Sequence, residues 1–361
     1  MISVIKEICH CAFRCNLTVF SVGDISDQLA NTISCVAGVP CQYPNSVDLR
    51  IIVLTFDRWS SLTKLLNSLN DLYTDGDRVA LEIWIDRGPD GKTVNKETVA
   101  TAKSFHWKNG VIRVHIQPEH VGILGQWIDT WKPVGNGSEE IALILEDDIS
   151  ISPYSYRWLK AARKFFGLRA DVAGITLQSE GLIVASTGAP FTPISSDGTA
   201  YLYKLVGSWG YAPNPDHWLL FQDWYHRVIK DSNFHPYVDG LVMNKWFKQF
   251  QKERRSHTMW TMWFIYYCNI NSLYTIYNNL NACYNTTKNC LAVNRREPGL
   301  HFSGKPVDNT KSLLREWKKE FVDFREPATM YGFDGKAISV KTDSERFIRS
   351  SSSGRNESEL S

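Results

Sequence analysis

The sequence predicts an α/β protein built on a mostly parallel, doubly wound sheet. Three observations predict it. Short apolar runs at residues 49–55, 80–85, 111–116 and 141–145 have the length of strands and little polar alternation, as strands covered on both faces do. Between them lie segments whose apolar residues recur at helical spacing. Charged and polar residues collect just past the strand ends, at Asp57, Asp86, His120 and Glu146. Strands alternating with helices imply parallel pairing with right-handed crossovers.

The first strand, 49–55, gives way to Asp57-Arg58 and then to a helix in which Leu62, Leu65, Leu66 and Leu69 share one face. Ser60 or Ser61 is expected to cap it. The second strand ends in Asp86, a Gly-Pro loop follows, and residues 96–105 make the next helix. The third strand, 111–116, leads through His120 to a short helix expected at 125–131. The fourth runs from Ile141 straight into Glu146-Asp147-Asp148, with a helix at 153–166 behind it. Beyond residue 170 the alternation weakens: strands are expected at 171–177 and 201–206, and helices at 215–230 and 241–253.

The 361 residues can bury a large core, and 43% hydrophobic with 22% charged residues is a globular composition. The net charge of +2, from 40 basic and 38 acidic residues, excludes a global nucleic-acid-binding signature. No Gly-x-Gly-x-x-Gly follows the first strand and no Gly-x-x-x-x-Gly-Lys-Ser/Thr loop occurs, so neither a standard dinucleotide site nor a P-loop is expected. Most of the 13 Trp are expected in the core. Residues 258–287 contain no Asp, Glu, Lys or Arg, but Asn269 and Asn271 interrupt the apolar run, so a buried aromatic segment is expected rather than a membrane span.

Residues 1–47 read as a Cys-containing extension, 48–340 as the ordered domain, whose strand–helix alternation weakens after 170, and 341–361 as a disordered tail. No membrane anchor is visible near the start. Eight Cys without paired Cys-x-x-Cys units argue against structural zinc. With Asn-x-Ser/Thr sequons at Asn16, Asn136, Asn285 and Asn356 they lean towards the lumen of the Golgi or secretory pathway, with the cytoplasm as alternative.

In a doubly wound sheet the carboxyl ends of the strands converge on one crevice, where ligands bind. Arg58, Asp86, His120 and Glu146-Asp147-Asp148 all follow such ends. Three adjacent carboxylates repel one another at neutral pH unless positive charge shares the site. A divalent cation carrying phosphates answers that need, because Mg²⁺ and Mn²⁺ prefer oxygen ligands.

Together these segments resemble the nucleotide-binding half of the GT-A glycosyltransferases: strand, Asp57-Arg58 and a Leu-rich helix; His120 with Leu124-Gly125-Gln126; then Leu145-Glu146-Asp147-Asp148 with Pro153. The closest likeness is to the N-acetylglucosaminyltransferase I type, the alpha-1,3-mannosyl-glycoprotein enzyme and its relatives. Gly207 to Tyr211 and Pro215 to Trp218 resemble that family's Gly-Trp segment and acceptor-side helix. The resemblance covers roughly residues 49–302 and departs from the family in lacking its Trp-Asp-Asp-Trp segment.

It implies a GT-A catalytic domain over 48–340, with a nucleotide-binding half to 170 and an aromatic-rich acceptor half from 171, a UDP-sugar donor, Mn²⁺ (or Mg²⁺), a glycan or glycoprotein acceptor, and inversion. Arg58 and Asp86 would hold the nucleotide, with Asp86 accepting from the base. His120 and Gln126 would line the uracil and ribose side, and Glu146 and Asp147 would contact ribose and donor sugar. Asp148 would ligate the metal, with His301 nearby. A base must take the acceptor proton; Asp239 is the first choice and Asp223 the rival, either of which could instead be a helix N-terminal acid. A carbohydrate-binding or inactive relative, or a nucleotidyltransferase with a related sheet, remain alternatives.

Overall fold

The computed structural model describes residues 47–338 apart from 134–137, 168, 180, 187–192, 195, 197, 281–289 and 296–311. The extension before residue 47, the tail, His301 and the four sequon asparagines lie outside the described residues.

The expected strand–helix alternation is present. In chain order come β1 (Leu49–Thr55), α1 (Trp59–Asn70), β2 (Val79–Ile85), α2 (Lys96–Ser104), β3 (Val111–Ile116), α3 (Gly122–Asp129), β4 (Ile141–Glu146), β5 (Ile149–Ile151) and α4 (Ser155–Phe166). The second half supplies β6 (Val172–Thr176), β7 (Ala200–Tyr203), β8 (Tyr211–Pro213), α5 (Pro215–Val228), α6 (Met243–Lys252), α7 (Trp260–Ile270), β9 (Tyr274–Asn278), β10 (Ala292–Asn294) and β11 (Met330–Tyr331).

Nine strands form one sheet in the order β11-β7-β9-β6-β8-β4-β1-β2-β3, drawing on both halves of the chain. The pairs β4-β1, β1-β2, β2-β3, β6-β9 and β11-β7 are parallel. β8 runs antiparallel to both β4 and β6, and β7 antiparallel to β9. The sheet is therefore mixed and mostly parallel. A second, two-stranded sheet joins β5 to β10 in antiparallel register, Ile149 opposite Asn294.

β1 explains why its sequence shows so little alternation. Leu49, Ile51 and Val53 point into a core shared with α1 and α4, while Ile52 and Leu54 point into a second core with α3, α5 and α7. With both faces covered, nearly every position is apolar. The exception is a buried polar network: Arg50 lies 2.6 Å from Glu82 and 2.7 Å from Glu140, and the indoles of Trp84 and Trp131 donate to those two carboxylates at 3.1 and 3.2 Å. Every charge in it has a partner, as burial requires.

Seven Trp are buried (107, 127, 131, 158, 218, 260 and 263), as expected for a Trp-rich core. The aromatic stretch after residue 258 forms the 11-residue α7, whose Met262, Phe264 and Ile265 are fully buried. Among the described residues no helix is long and apolar enough to cross a membrane.

Three local expectations are corrected. Neither Ser60 nor Ser61 caps α1; Arg58 stands at the N-cap without a side-chain cap, and the Ser61 hydroxyl donates instead to the Asp147 carbonyl at 3.0 Å. α3 starts at Gly122 rather than 125, because the Asp86 carboxylate accepts from the Val121 and Gly122 N–H groups at 3.0 and 2.9 Å and holds the first turn in place. Asp223 lies in the middle of α5, away from the helix N-terminus, so the dipole explanation does not apply to it.

Candidate active site

The chain builds β1, β2 and β3 outward in one direction and then places β4 on the other side of β1. β1 and β4 are therefore neighbours in parallel register, Leu54 opposite Glu146, with the next strands lying on opposite sides. Such a reversal is the place where open α/β sheets bind ligands, at the carboxyl ends of the strands. The loop after β1 brings Arg58 into it and the turn after β4 brings Glu146, Asp147 and Asp148.

Asp147 is 1% exposed and held from several sides. Its carboxylate accepts from the Thr55 hydroxyl at 2.7 Å and from Arg58 Nη2, and its carbonyl accepts from Ser61 Oγ and from Arg295 Nη2 at 2.8 Å. Arg58 also lies 3.7 Å from Asp148 through Nη1. Glu146 is half-buried and accepts from Trp127 Nε1 at 3.0 Å. Trp127 is itself fixed by stacking on Trp260 at a centroid distance of 4.0 Å.

The cluster is short of positive charge. Burial pushes Glu146 up to about 7, with the Asp148 charge adding to it and the Trp127 N–H and Arg58 opposing. Burial likewise pushes Asp147 up to about 6 against the pull of Arg58 and Thr55. Asp148 is raised by burial too, although Arg58, Arg295 and Asn294 favour its ionised form. Three carboxylates raised together mark a place where added positive charge is favourable.

Two of the residues that complete the site were not singled out in the sequence. β10 pairs with β5 and delivers Asn294 and Arg295. Asn294 Nδ2 donates to Asp148 Oδ1 at 3.3 Å. Arg295 donates to the carbonyls of Ser61 and Ile149 at 2.9 and 2.8 Å, and its own N–H bonds the Asp148 carbonyl at 2.8 Å. It ties the β1 loop to the β4 turn.

The remaining predicted residues divide into two groups. Asp86 is adjacent, its N–H bonded to the Thr55 carbonyl at 2.9 Å, and its carboxylate serves the start of α3 and lies 3.2 Å from His120 Nδ1. His120 is exposed at that rim and bonds the Arg87 carbonyl at 2.7 Å. Gln126 is 2% exposed; its amide donates to the Thr55 and Trp84 carbonyls at 3.3 and 3.2 Å and accepts from Gln117 at 3.0 Å, bracing the ends of β1 and β2. Asp223 and Asp239 are exposed, on α5 and in the turn before α6, and among the described residues no hydrogen bond or ion pair joins them to the carboxylate cluster. The predicted set is thus one assembled group, Arg58 with Glu146, Asp147 and Asp148, flanked by Asp86, His120 and Gln126, plus two acids elsewhere.

For a divalent cation the donors fit in one particular way. Among the described residues no three His, Cys, Asp or Glu side chains form a ready cage. The Asp148 carboxylate meets Asn294 at 3.3 Å and Arg58 at 3.7 Å and accepts from its own backbone N–H, which leaves it lone pairs for a cation. One carboxylate plus phosphate oxygens and water is how Mg²⁺-like ions are commonly held at nucleotide sites.

No protein-family model matches the chain, and no curated protein does. Among solved structures it is similar to S. aureus TarS 1–349, with 16% identity over 46% of this chain and 47% of that one, at a TM-score of 0.31. The complex of S. aureus TarS 1–349 with UDP-GlcNAc shares 13% identity over 59% of this chain and 53% of that one, at 0.34. The mannosyltransferase PcManGT from Pyrobaculum calidifontis, in complex with GDP-Man and Mn²⁺, shares 10% identity over 57% and 52%, at 0.30. The chain spans about half the length of these structures.

Proposed function

We propose that the chain is a GT-A-type glycosyltransferase that moves a sugar, with GlcNAc the first candidate, from a UDP-linked donor to a hydroxyl of a glycan or glycoprotein. The observation that carries this reading is the group Glu146, Asp147 and Asp148 facing Arg58 across the sheet's switch point. A nucleoside diphosphate suits such a crevice: a guanidinium for phosphate, carboxylates for sugar hydroxyls and for the accompanying cation.

In this reading Arg58 faces the diphosphate and Asp147 holds that guanidinium in place, since its own oxygens are engaged by Thr55 and Arg58. Glu146, steadied by Trp127, serves the ribose and donor sugar. Asp86 and His120 form the base side of the rim. Asp148 would hold Mn²⁺ or Mg²⁺, which when bound offsets charge on the leaving diphosphate. An inverting transfer needs a separate carboxylate to accept the acceptor's hydroxyl proton. Asp239 remains the first candidate and Asp223 the second. A lumenal, secretory-pathway location is proposed from the Cys and sequon content.

The test is release of UDP from UDP-GlcNAc, UDP-glucose and UDP-galactose by the full chain, with Mn²⁺ and with EDTA. Manganese-dependent release supports the reading. Failure to bind or hydrolyse any of them with Mn²⁺ overturns it. Glycan binding without nucleotide binding would make the chain a carbohydrate-binding relative, and release of pyrophosphate from UTP with a sugar phosphate would make it a nucleotidyltransferase.

A further inference from the structure

We infer that the cleft between α4 and the start of α5 binds a small monovalent anion, with Arg163 as the cation that holds it. The cleft lies at the amino ends of β4 and β6, where the sheet is parted. β8 pairs with β4 at one position only, Ile144 with Tyr211, and leaves through Pro213 into α5. Arg163, Asn214, Ile141, Leu159, Val172 and Ala212 are among the residues lining a space of about 310 Å³, part of it open to solvent. The carboxylate cluster is at the other end of β4, so the inference does not depend on which reaction that cluster serves.

Arg163, in the last turn of α4, is half-buried and lacks an anionic partner. Among the described residues it enters no ion pair, and the one hydrogen bond of its guanidinium is long, Nη2 to the Ser138 carbonyl at 3.4 Å. Burial lowers its pKa below the ordinary arginine value, and the charges of Glu139 and Asp216 only partly offset that. Arg50 and Arg58 are displaced upward instead, because the carboxylates bonded to them outweigh burial. Glu140 lines the same cleft, but Arg50 holds its two oxygens at 2.8 and 2.7 Å and Trp131 donates to it at 3.2 Å. It is committed away from Arg163.

Asn214 supplies a second donor. It is 8% exposed, and its Oδ1 caps α5 by accepting from the Asp216 and His217 N–H groups at 3.0 and 3.4 Å. That bond fixes the amide and leaves Nδ2 without a hydrogen-bond partner among the described residues. A guanidinium with unengaged N–H groups and a buried amide N–H thus share one cleft, and both call for an acceptor. The surrounding wall of Ile141, Leu159, Val172 and Ala212 suits a weakly hydrated ion. The nearby charges of Glu139, Glu140 and Asp216 oppose a divalent one. A bound anion would join α4 to the first turn of α5.

The experiment is thermal unfolding of the full chain in sodium chloride against sodium gluconate at equal ionic strength, with the NMR line width of the chloride nucleus as a direct measure of binding. Chloride should raise the melting temperature in a saturable way, and the bulkier gluconate should not. The parent should broaden the chloride line, and Arg163→Met should weaken the affinity on the order of 10-fold or more. Arg163→Lys, which keeps the charge without the planar fork, should lose less. If Arg163→Met does not fold, Arg163→Lys carries the comparison with the parent. The inference is overturned if the parent leaves the chloride line unbroadened, if the variant broadens it as much as the parent does, or if chloride and gluconate stabilise the chain alike.

Discussion

Arg58 and Asp147 form an ion pair across the switch point of the sheet, one from the loop after β1 and the other from the turn after β4. Arg58 keeps 27% of its side chain exposed while Asp147 keeps 1%, so the acid is the buried anchor and the guanidinium the part that can meet a ligand. Arg58→Ala leaves Asp147 and Asp148 without their nearest cation. Breaking a buried pair from one side costs about 3–5 kcal/mol, and partial exposure of Arg58 puts this one near the lower end. Urea unfolding of the variant should show that loss at neutral pH, and a stability within about 1 kcal/mol of the parent would contradict it.

Glu146 gives a pH signature. Its folded pKa, raised to about 7 by burial, lies above the ordinary value of 4.5. The folded chain therefore keeps a proton that the unfolded chain releases, and stability falls as pH rises from about 4.5 to about 7. In metal-free buffer Glu146→Gln should remove that part of the decline. The gain at pH 8 should be at most roughly 3 kcal/mol, closing towards pH 4.5. Melting curves of both proteins in EDTA across this range check it.

Gln126 separates a bracing role from a contact with ligand. It is 2% exposed and bonded to the Thr55 and Trp84 carbonyls and to Gln117. Gln126→Ala should destabilise the fold by about 2–4 kcal/mol through unmet buried polar groups and a cavity. Denaturant unfolding measures this directly, and an unchanged midpoint would count against the bracing role.

Arg295 ties together two stretches far apart in sequence, bonding the carbonyls of Ser61, Asp147 and Ile149. Arg295→Ala should lower stability by about 2–4 kcal/mol, since three buried acceptors lose a charged donor. It should also loosen the turn that carries Asp148, so nucleotide affinity should fall. Binding and unfolding measured on the same preparation test both effects.

Much of this was readable in the residues. β1 to β4 and their helices are legible because a strand covered on both faces must be apolar throughout. The carboxylate run after Leu145 is legible because three adjacent acids at a strand end repel one another unless positive charge shares the site. What was hidden depended on distant partners. β8 is three residues ending in Pro213, identifiable only by its antiparallel pairing with β4 and β6. β9 sits inside the charge-free aromatic stretch, where strand and helix look alike. Asn294 and Arg295 reach the site through the pairing of β5 with β10, about which the local sequence is silent beyond an apolar-to-basic change after Val293. Gln126 could be placed near the crevice from its motif, but its bonds to two strand ends could not.

The two candidate bases are separable by single substitutions. If Asp239 accepts the acceptor proton, Asp239→Asn should bind UDP with Mn²⁺ like the parent and lose transfer by on the order of 10²–10⁴-fold. Full transfer in that variant moves the role to Asp223, and Asp223→Asn then carries the loss. Transfer rates at saturating donor give the result.

In the proposed reading the carboxyl ends of β1 and β4 bind a metal–nucleoside diphosphate through Asp148. Calorimetric titration of UDP into the full chain, with and without Mn²⁺, tests it most directly when repeated on Asp148→Ala. The predicted result is manganese-dependent binding to the parent that disappears in the variant while the fold is retained. UDP binding of equal strength in both proteins, or none to the parent with Mn²⁺ present, would contradict the claim.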